Sequence, residues 1–451
     1  MFKKIRSYLI LILDVITLLC IFSSLYYIRL GQLPNYSSFA LWLIIFTIIS
    51  TLFVSGTYSR RPTTSMPSLP IRTFFIASLA GILCVLWLYL LGPSQFNNYF
   101  GRGILPIGVI SFGIIATLVR FIINSLHHLH EEGKELLYLG YSNSADEFLN
   151  ELQNHSEVKS VSILTHKQVE HDLPKNIRFL SKTNSEQALS KPWNEIIIDP
   201  KYHTSREETD RLISIRLNGT AVLTLDEYYQ RHWHMVPVDH IDTDWFLQSQ
   251  GFSMISNPVS SRIKRIVDIF LSIFVLILGI PLILVSAVVI KLTSKGPIFF
   301  KQVRVGYQNK EFQIYKLRTM IDNAESGGAQ WARADDPRIT LVGKFLRKSR
   351  LDELPQCWNV LRGEMSFVGP RPERPEFTKE LTEKIPYYEL RHIVKPGITG
   401  WAQVIFPYGA SIEDSLKKLQ YELYYIKNQS LLLDLNIILR TLITVFQRAG
   451  R

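Results

Sequence analysis

Two adjacent carboxylates, Asp352 and Glu353, sit in the stretch Leu351-Asp352-Glu353-Leu354-Pro355-Gln356, directly after a run carrying Lys344, Arg347, Lys348 and Arg350. An acid pair among cations suits a centre where phosphates meet a divalent metal ion: the cations offset phosphate charge, and carboxylate oxygens ligate hard metals. A carboxylate is also competent to attack phosphorus and form an aspartyl-phosphate type of intermediate. The structural alternative is a helix N-cap at Asp352, with Pro355 in the first turn. The basic company favours the chemical role.

More cations flank the pair. Residues 296–306, with Lys301 and Arg304, a polar turn at 307–310 and residues 311–320 read as a β-hairpin. On its second strand Lys316 and Arg318 are two apart and share a face, which fits either a phosphate clamp or a solvated surface. Asp335-Asp336-Pro337-Arg338 precedes an amphipathic stretch at 341–349. Downstream, Gly369-Pro370-Arg371-Pro372-Glu373 sets Arg371 between two prolines. Their restricted backbone presets the guanidinium as a fork for a phosphate or a uracil edge, or makes an exposed turn. Residues 391–401 add Arg391, Lys395, a glycine turn and Trp401, while His392 by itself reads as a surface histidine.

The elements that must position these groups begin in a membrane. The chain has 451 residues, 47% of them hydrophobic, and that character is concentrated in the first 125. Apolar stretches at 8–28, 39–58, 73–92 and 103–124 each approach the ~20 residues of a spanning helix. The first lacks a small-residue cleavage site and is followed by three more, so it does not read as a signal peptide. Lys3, Lys4 and Arg6 precede the first stretch, and Arg60, Arg61 and Arg72 lie between the second and third. Both ends of this unit are therefore expected on the cytoplasmic side. Asp14 within the first stretch is an intramembrane acid and so a functional candidate, but its closeness to the basic N-terminus favours an interfacial ion pair. Cys20, Cys84 and Cys357 are too scattered for a disulfide framework or a C-x-x-C metal site.

Residues 131–250 read as a Rossmann-like α/β domain with strands at 135–140, 158–164, 195–198 and 221–225, a doubly wound parallel sheet. The turn Gly140-Tyr141-Ser142-Asn143-Ser144-Ala145 keeps one glycine of a dinucleotide fingerprint, and the second strand ends in Thr165-His166 rather than an acid. A regulatory or scaffolding domain that binds no nicotinamide and is dispensable for chemistry is expected. The Asp- and Ser-rich residues 237–258 read as linker, with 251–262 as the boundary segment. Residues 266–290 are long enough to span, but Gly279 and Pro281 break the run and both flanks are basic. A bent helix that enters and leaves one leaflet fits better than a crossing. The whole +11 net charge lies from residue 256 onward, beside this helix. A nucleic-acid binder is the least favoured reading, since an apolar run of that length belongs at a bilayer.

Residues 263–451 resemble the catalytic domain of the bacterial sugar transferase family, the monotopic polyprenyl-phosphate hexose-1-phosphate transferases. The matching pieces are Lys264-Arg265-x-x-Asp268, Ser294-Lys295-Gly296-Pro297, Lys316-Leu317-Arg318, Asp336-Pro337-Arg338-Ile339-Thr340, Leu351 to Gln356, Met365 to Pro372, and Lys395 to Trp401. Four transmembrane helices at 1–130 plus the middle domain resemble the long form of that family. The resemblance implies a membrane protein with an α+β catalytic domain carrying a re-entrant helix. It implies transfer of a hexose-1-phosphate from a UDP-sugar to polyprenyl (undecaprenyl) phosphate with release of UMP, at the cytoplasmic face of a bacterial inner membrane, initiating exopolysaccharide, capsule or O-antigen synthesis. It further implies Asp352 as nucleophile, Glu353 as ligand of Mg²⁺ (or Mn²⁺) and Arg371 on the nucleotide sugar. Lys301, Arg304, Lys316, Arg318, Arg338, Arg350, Pro370, Pro372, Arg391 and Lys395 complete the substrate-binding candidates, and a homo-oligomer is allowed. Residues 404–411 depart from the commoner Asn-Gly turn and are similar to a subset linked with exosortase-type exopolysaccharide systems. Two other functions compete. A membrane-anchored nucleotide-binding sensor or scaffold of a polysaccharide export system would show no turnover. A dinucleotide-dependent sugar-modifying enzyme would need an intact glycine turn and a Tyr-x-x-x-Lys pair.

Overall fold

The computed structural model describes residues 2–55, 57–58, 69–91, 101–130, 133–153, 158–165, 176–181, 185–241, 243–322, 324, 336–406 and 411–446. They divide into two compact units, residues 1–131 and 132–451. The first is helical: α1 (Phe2–Leu30), α2 (Phe39–Val54), α3 (Leu69–Leu91) and α4 (Gly101–His130). Helices satisfy backbone polar groups internally, as a bilayer requires. Among the described residues of this unit, Tyr8–Leu30 and Gly103–Ile123 are long and apolar enough to cross, while Phe39–Val54 and Ile76–Leu86 are shorter apolar helices. The 16 residues of α2 reach only about 24 Å at ~1.5 Å each, short of a ~30 Å hydrocarbon core.

Asp14 finds a different partner from the one expected. Arg120 of α4 reaches its two oxygens at 2.6 and 3.1 Å, and the Tyr58 hydroxyl donates to it at 2.6 Å. Helices α1 and α4 pack side by side, which brings residue 120 level with residue 14. Both charges are buried, so neither can lose the other without a large penalty.

The second unit opens with a five-stranded parallel sheet. Strands β1 (Lys134–Leu139), β2 (Val158–Thr165), β3 (Ile177–Ser181), β4 (Glu195–Ile198) and β5 (Ala221–Thr224) lie in the order β3-β2-β1-β4-β5. Helices α5 (Asn143–Gln153), α6 (Ser185–Ser190) and α7 (Arg206–Leu217) connect them. Alternation sends Leu136, Tyr138, Val161, Ile163 and Ile197 into one apolar layer and Leu137, Leu139, Leu164, Ile196 and Val222 into the other. The strand missed by sequence, β3, is a short edge strand whose apolar run is broken by Arg178 at its second position. At the end of β1, Gly140 has φ +103°, and a Cβ there would lie 2.9 Å from the Cβ of Asp199. Asp199 accepts hydrogen bonds from Tyr138, Ser142 and the Lys201 N–H at 2.8 to 2.9 Å. An acid thus occupies the crest of the sheet, where dinucleotide phosphates would need donors.

The segment expected to be linker is packed structure. Val236, Val238 and Ile241 share one apolar core with Leu381, Trp401, Leu423 and Ile437, and Trp245, Phe246 and Phe252 pack against it. The Phe252 N–H donates to the Lys427 carbonyl at 2.8 Å. Polar composition concealed these spaced apolar residues.

Helix α8 (Pro258–Thr293) starts eight residues before the expected 266, because Asn257 caps it by accepting from Val259 and Ser260 N–H and Pro258 supplies the first turn. It is inside-out. Its buried positions are Lys264, Asp268, Ser272, Gly279, Ser286 and Ile290, whereas Phe270, Phe274, Ile277 and Leu284 are exposed. Pro281 lies within it. Both ends are tied to the same domain: Lys264 Nζ lies 2.7 Å from Asp434, and Arg318 donates to the Ser294 carbonyl at 3.0 Å. The rest of that domain comprises the antiparallel pair β6 (Phe299–Val305) and β7 (Glu311–Leu317), α9 (Leu341–Ser349), α10 (Gln356–Arg362), the parallel pair β8 (Ser366–Val368) and β9 (Gly397–Thr399), α11 (Pro375–Lys384), α12 (Ile412–Lys427) and α13 (Leu431–Phe446).

Candidate active site

The acid pair is held in a reversal between two helices. Arg350 ends α9 with φ 59°, a single 3₁₀ turn spans Leu351–Glu353, and α10 begins at Gln356. Asp352 is not a helix cap: the cap position of α10 is Pro355, with no side-chain bond. Three anchors fix this turn. Asn359 on α10 donates to the Gln313 carbonyl at 2.7 Å and accepts from the Tyr315 N–H at 3.2 Å, binding α10 to β7. Arg265 on α8 donates to the carbonyls of Val360 and Leu361 at 2.6 and 2.9 Å, satisfying the end of α10. Leu354 rests on Gly279 of α8, where a Cβ would lie 3.2 Å from Leu354 Cδ1.

Asp352 and Glu353 are 6% and 7% exposed. Lys316 Nζ lies 3.0 Å and Arg371 Nη2 2.9 Å from the same Oε1 of Glu353. Asp352 Oδ1 is buried with no hydrogen-bond partner. Burial, reinforced by the charge of Glu353, pushes the Asp352 carboxyl up to about 6, with Lys316, Arg347 and Arg350 opposing. Burial also acts to raise Glu353, but Lys316, Arg371 and Arg350 outweigh it and hold that carboxyl well below the usual range. The pair is thus split: its cations hold Glu353 in the charged form, while burial raises the carboxyl of Asp352.

The remaining candidates separate by what their side chains touch. Lys316 and Arg318 do not form a clamp. Arg318 turns away to the Ser294 carbonyl and hydroxyl, closing the end of α8, because β7 ends at Leu317 and the strand alternation stops there. Arg304 donates to the Pro372 carbonyl at 3.0 Å and so ties the hairpin to the Gly-Pro-Arg-Pro loop. Lys301 lies over the Tyr315 ring. Arg338 is engaged by Asp336 at 2.6 and 2.8 Å, and Asp335 lies outside the described residues. The Pro370 carbonyl accepts from Gly397 N–H at 2.8 Å, a backbone approach so close that a Cβ on Gly397 would sit 2.1 Å from Gly369 N. Lys395 is half-buried, and burial lowers its pKa, with Arg265 adding to the effect. Arg391 is buried and spent within the fold on Glu422, Tyr388 and the Arg371 carbonyl. Departing residues 407–410 are also outside the described set.

Sequence reasoning missed several residues that do the positioning. Asn359, Glu422 and Asp434 carry no motif signal, since Tyr315, Arg391 and Lys264, which they meet, lie 44, 31 and 170 residues away in the chain. Arg347, taken only as basic company, donates to Thr319 at 2.9 Å beside the acid pair.

Residues 259–448 match the family model described as bacterial sugar transferase. A sugar transferase of Bacillus subtilis is 42% identical over 188 residues, which cover 42% of this chain and 89% of that relative. The chain belongs to the bacterial sugar transferase family. The region shared with the family starts with α8 and ends past α13, so it contains the acid pair and every cation around it. A UDP-N-acetylgalactosamine-undecaprenyl-phosphate N-acetylgalactosaminephosphotransferase of Aeromonas hydrophila is 46% identical over 215 residues, 48% of this chain and 50% of the relative. A UDP-glucose:undecaprenyl-phosphate glucose-1-phosphate transferase of Klebsiella pneumoniae is 44% identical over 192 residues, 42% of this chain and 41% of the relative. The chain thus spans about half the length, or less, of these two members of the bacterial sugar transferase family.

Proposed function

We propose that the chain transfers a sugar-1-phosphate from a UDP-sugar to undecaprenyl phosphate through a covalent intermediate on Asp352. The observation that carries this reading is the division of labour in the acid pair: Glu353 takes both cations, and Asp352 is left as a buried carboxylate with a free oxygen. Asp352 attacks the β-phosphorus of the UDP-sugar. The bond from that phosphorus to the bridging oxygen breaks, and UMP leaves with the electron pair. The lipid phosphate then attacks the same phosphorus, the aspartyl bond breaks, and Asp352 is regenerated with a diphosphate-linked lipid sugar as product. Splitting the transfer avoids bringing two phosphates together in one step. Lys316 and Arg371 hold Glu353 and sit where they can offset charge on the departing UMP.

The donor set fits magnesium or manganese. Among the described residues no group of three or more His, Cys, Asp or Glu could hold a metal ion, and Mg²⁺ characteristically takes one or two carboxylates plus substrate phosphates. Glu353 would hold it, and when bound the ion would neutralise the diphosphate.

Helix α8 supports a monotopic arrangement. A straight crossing would separate Lys264 and Ser294 by about 45 Å at ~1.5 Å per residue, on opposite sides of the hydrocarbon, yet both ends are bonded to one folded domain. In the proposed arrangement the run enters and leaves one leaflet of the inner membrane, with the catalytic domain on the cytoplasmic face, where nucleotide sugars are made. Leu354 on Gly279 then sets the nucleophile beside the lipid surface.

The test is UMP release by the purified full chain with UDP-N-acetylgalactosamine or UDP-glucose. Before lipid phosphate is added, UMP should appear in a burst no larger than one per site, and turnover should follow its addition. Asp352→Asn should abolish both. Turnover near the parent rate in that variant would return the chemistry to direct transfer between phosphates.

A further inference from the structure

Arg371 owes its place to a residue that never meets the acid pair. Arg391 forms a two-pronged ion pair with Glu422, Nε to Oε2 and Nη2 to Oε1, both at 2.9 Å. Its Nη1 donates to the Tyr388 hydroxyl at 2.6 Å, and Nη2 also donates to the Arg371 carbonyl at 2.7 Å. The Arg391 and Glu422 side chains are 4% and 5% exposed. Every donor named is directed inward, so this guanidinium is a fixture of the fold. Its one bond to the Gly-Pro-Arg-Pro loop falls on the residue whose own guanidinium reaches Glu353.

Glu422 sits on α12, and that helix has two working faces. Lys418, Glu422 and Tyr425, spaced by four and three, face the site side; Tyr425 donates to the Val368 carbonyl just before the loop. Lys417, Gln420 and Tyr421 face the α/β domain. Lys417 Nζ lies 2.6 Å from Glu151 of α5, the Gln420 carbonyl accepts from the Val236 N–H at 2.9 Å, and Tyr421 packs on the apolar layer of the sheet. The Trp401 indole donates to the His234 carbonyl at 3.0 Å, adding a second tie near the loop.

We propose that Arg391 and Glu422 are positioning residues for Arg371, and that the α/β domain sets their placement through α12. This rests on the reading that Arg371 grips the nucleotide sugar. The α/β domain is then a working part of substrate recognition, coupled to the loop by a rigid helix with one face on each domain.

The full chain in lipid nanodiscs, assayed for UMP release with UDP-N-acetylgalactosamine and UDP-glucose, tests both. Arg371→Ala calibrates the reading: it should raise KM for the UDP-sugar, and an unchanged KM there would sink the role of Arg371 itself. Given that rise, Arg391→Lys and Glu422→Gln should raise the same KM on the order of tenfold, the usual loss for a charged hydrogen bond, with kcat at saturation changed far less. Glu151→Lys should raise it several-fold, and adding Lys417→Glu should restore it. A purely structural role would lower the active fraction and leave KM alone. An unchanged KM in folded Arg391→Lys or Glu422→Gln protein overturns the positioning role. Should neither variant fold, an unchanged KM in Glu151→Lys, whose ion pair is partly exposed, overturns the proposal instead.

Discussion

Asp352 and Glu353 are neighbours in one buried turn, yet Lys316 and Arg371 both bond to Glu353 and leave Asp352 Oδ1 without a partner. That asymmetry underlies the proposed division of roles, with Asp352 as the attacking acid and Glu353 as the anchor.

A pH dependence follows from it. With Asp352 raised to about 6, the carboxylate proposed to attack is present above that value and lost as pH falls through it. The pre-lipid UMP burst, which is free of the lipid phosphate's own titration, should decline below pH 6 by stopped or quenched flow. A burst that stays flat to pH 4.5 would rule out a raised nucleophile. Stability moves the other way. The folded state holds the proton more tightly than the unfolded chain, so charging Asp352 costs stability as pH rises from about 4 through 6. Asp352→Asn should therefore melt higher than the parent at pH 7.5 and match it below pH 4.

Glu353→Gln removes the charge that Lys316 and Arg371 share. Two cations are then left in a buried site without their acid, a loss of the kind that costs several kcal/mol. The variant should melt lower, turn over far more slowly and show a weaker, right-shifted Mg²⁺ activation curve. A titration superimposable on the parent's would mean that Glu353 does not meet the metal.

Truncation at Ser260 leaves the acid pair intact but strips Val236, Val238, Ile241, Trp245 and Phe252 from the apolar core of the catalytic domain. At about 25 cal/mol per Å² of apolar surface lost, that removal is several kcal/mol. A chain starting at residue 260 should aggregate or melt well below one starting at 230, contrary to the dispensability that the sequence suggests. Equal thermal unfolding midpoints for the two would refute the packing argument.

Cysteines introduced at Ser261 and Lys295, on an otherwise cysteine-free chain, should react with an impermeant maleimide from the same side of sealed vesicles. Labelling from opposite sides would mean that α8 crosses. Pro281→Leu removes the proline constraint on its interior and should shift the pattern toward crossing.

Much of the sheet was legible because its strands obey a period of two over apolar runs, and Asp352, Glu353 and Arg371 stand in motifs whose chemistry is local. What escaped was set by distance along the chain. Arg391 reads as one more cation until Glu422, on a helix 31 residues later, absorbs it. Asp14 has its counter-ion 106 residues away on another helix. The segment at 237–258 reads as polar because its apolar residues follow no single period; only the groove they fill supplies the pattern.

The contact of Leu354 with Gly279 has a mechanical consequence. The side chain that follows the acid pair by one residue is seated on a glycine inside the long apolar helix, where an added methyl group would lie 3.2 Å from the leucine and make it give way. With α8 lying in one leaflet as proposed, how deeply it settles fixes the height of the carboxylate above the acyl chains. On that proposal leaflet thickness and lateral pressure become inputs to the geometry of the acid pair, and vesicles of different chain length offer a dial on the enzyme that leaves its amino-acid sequence untouched.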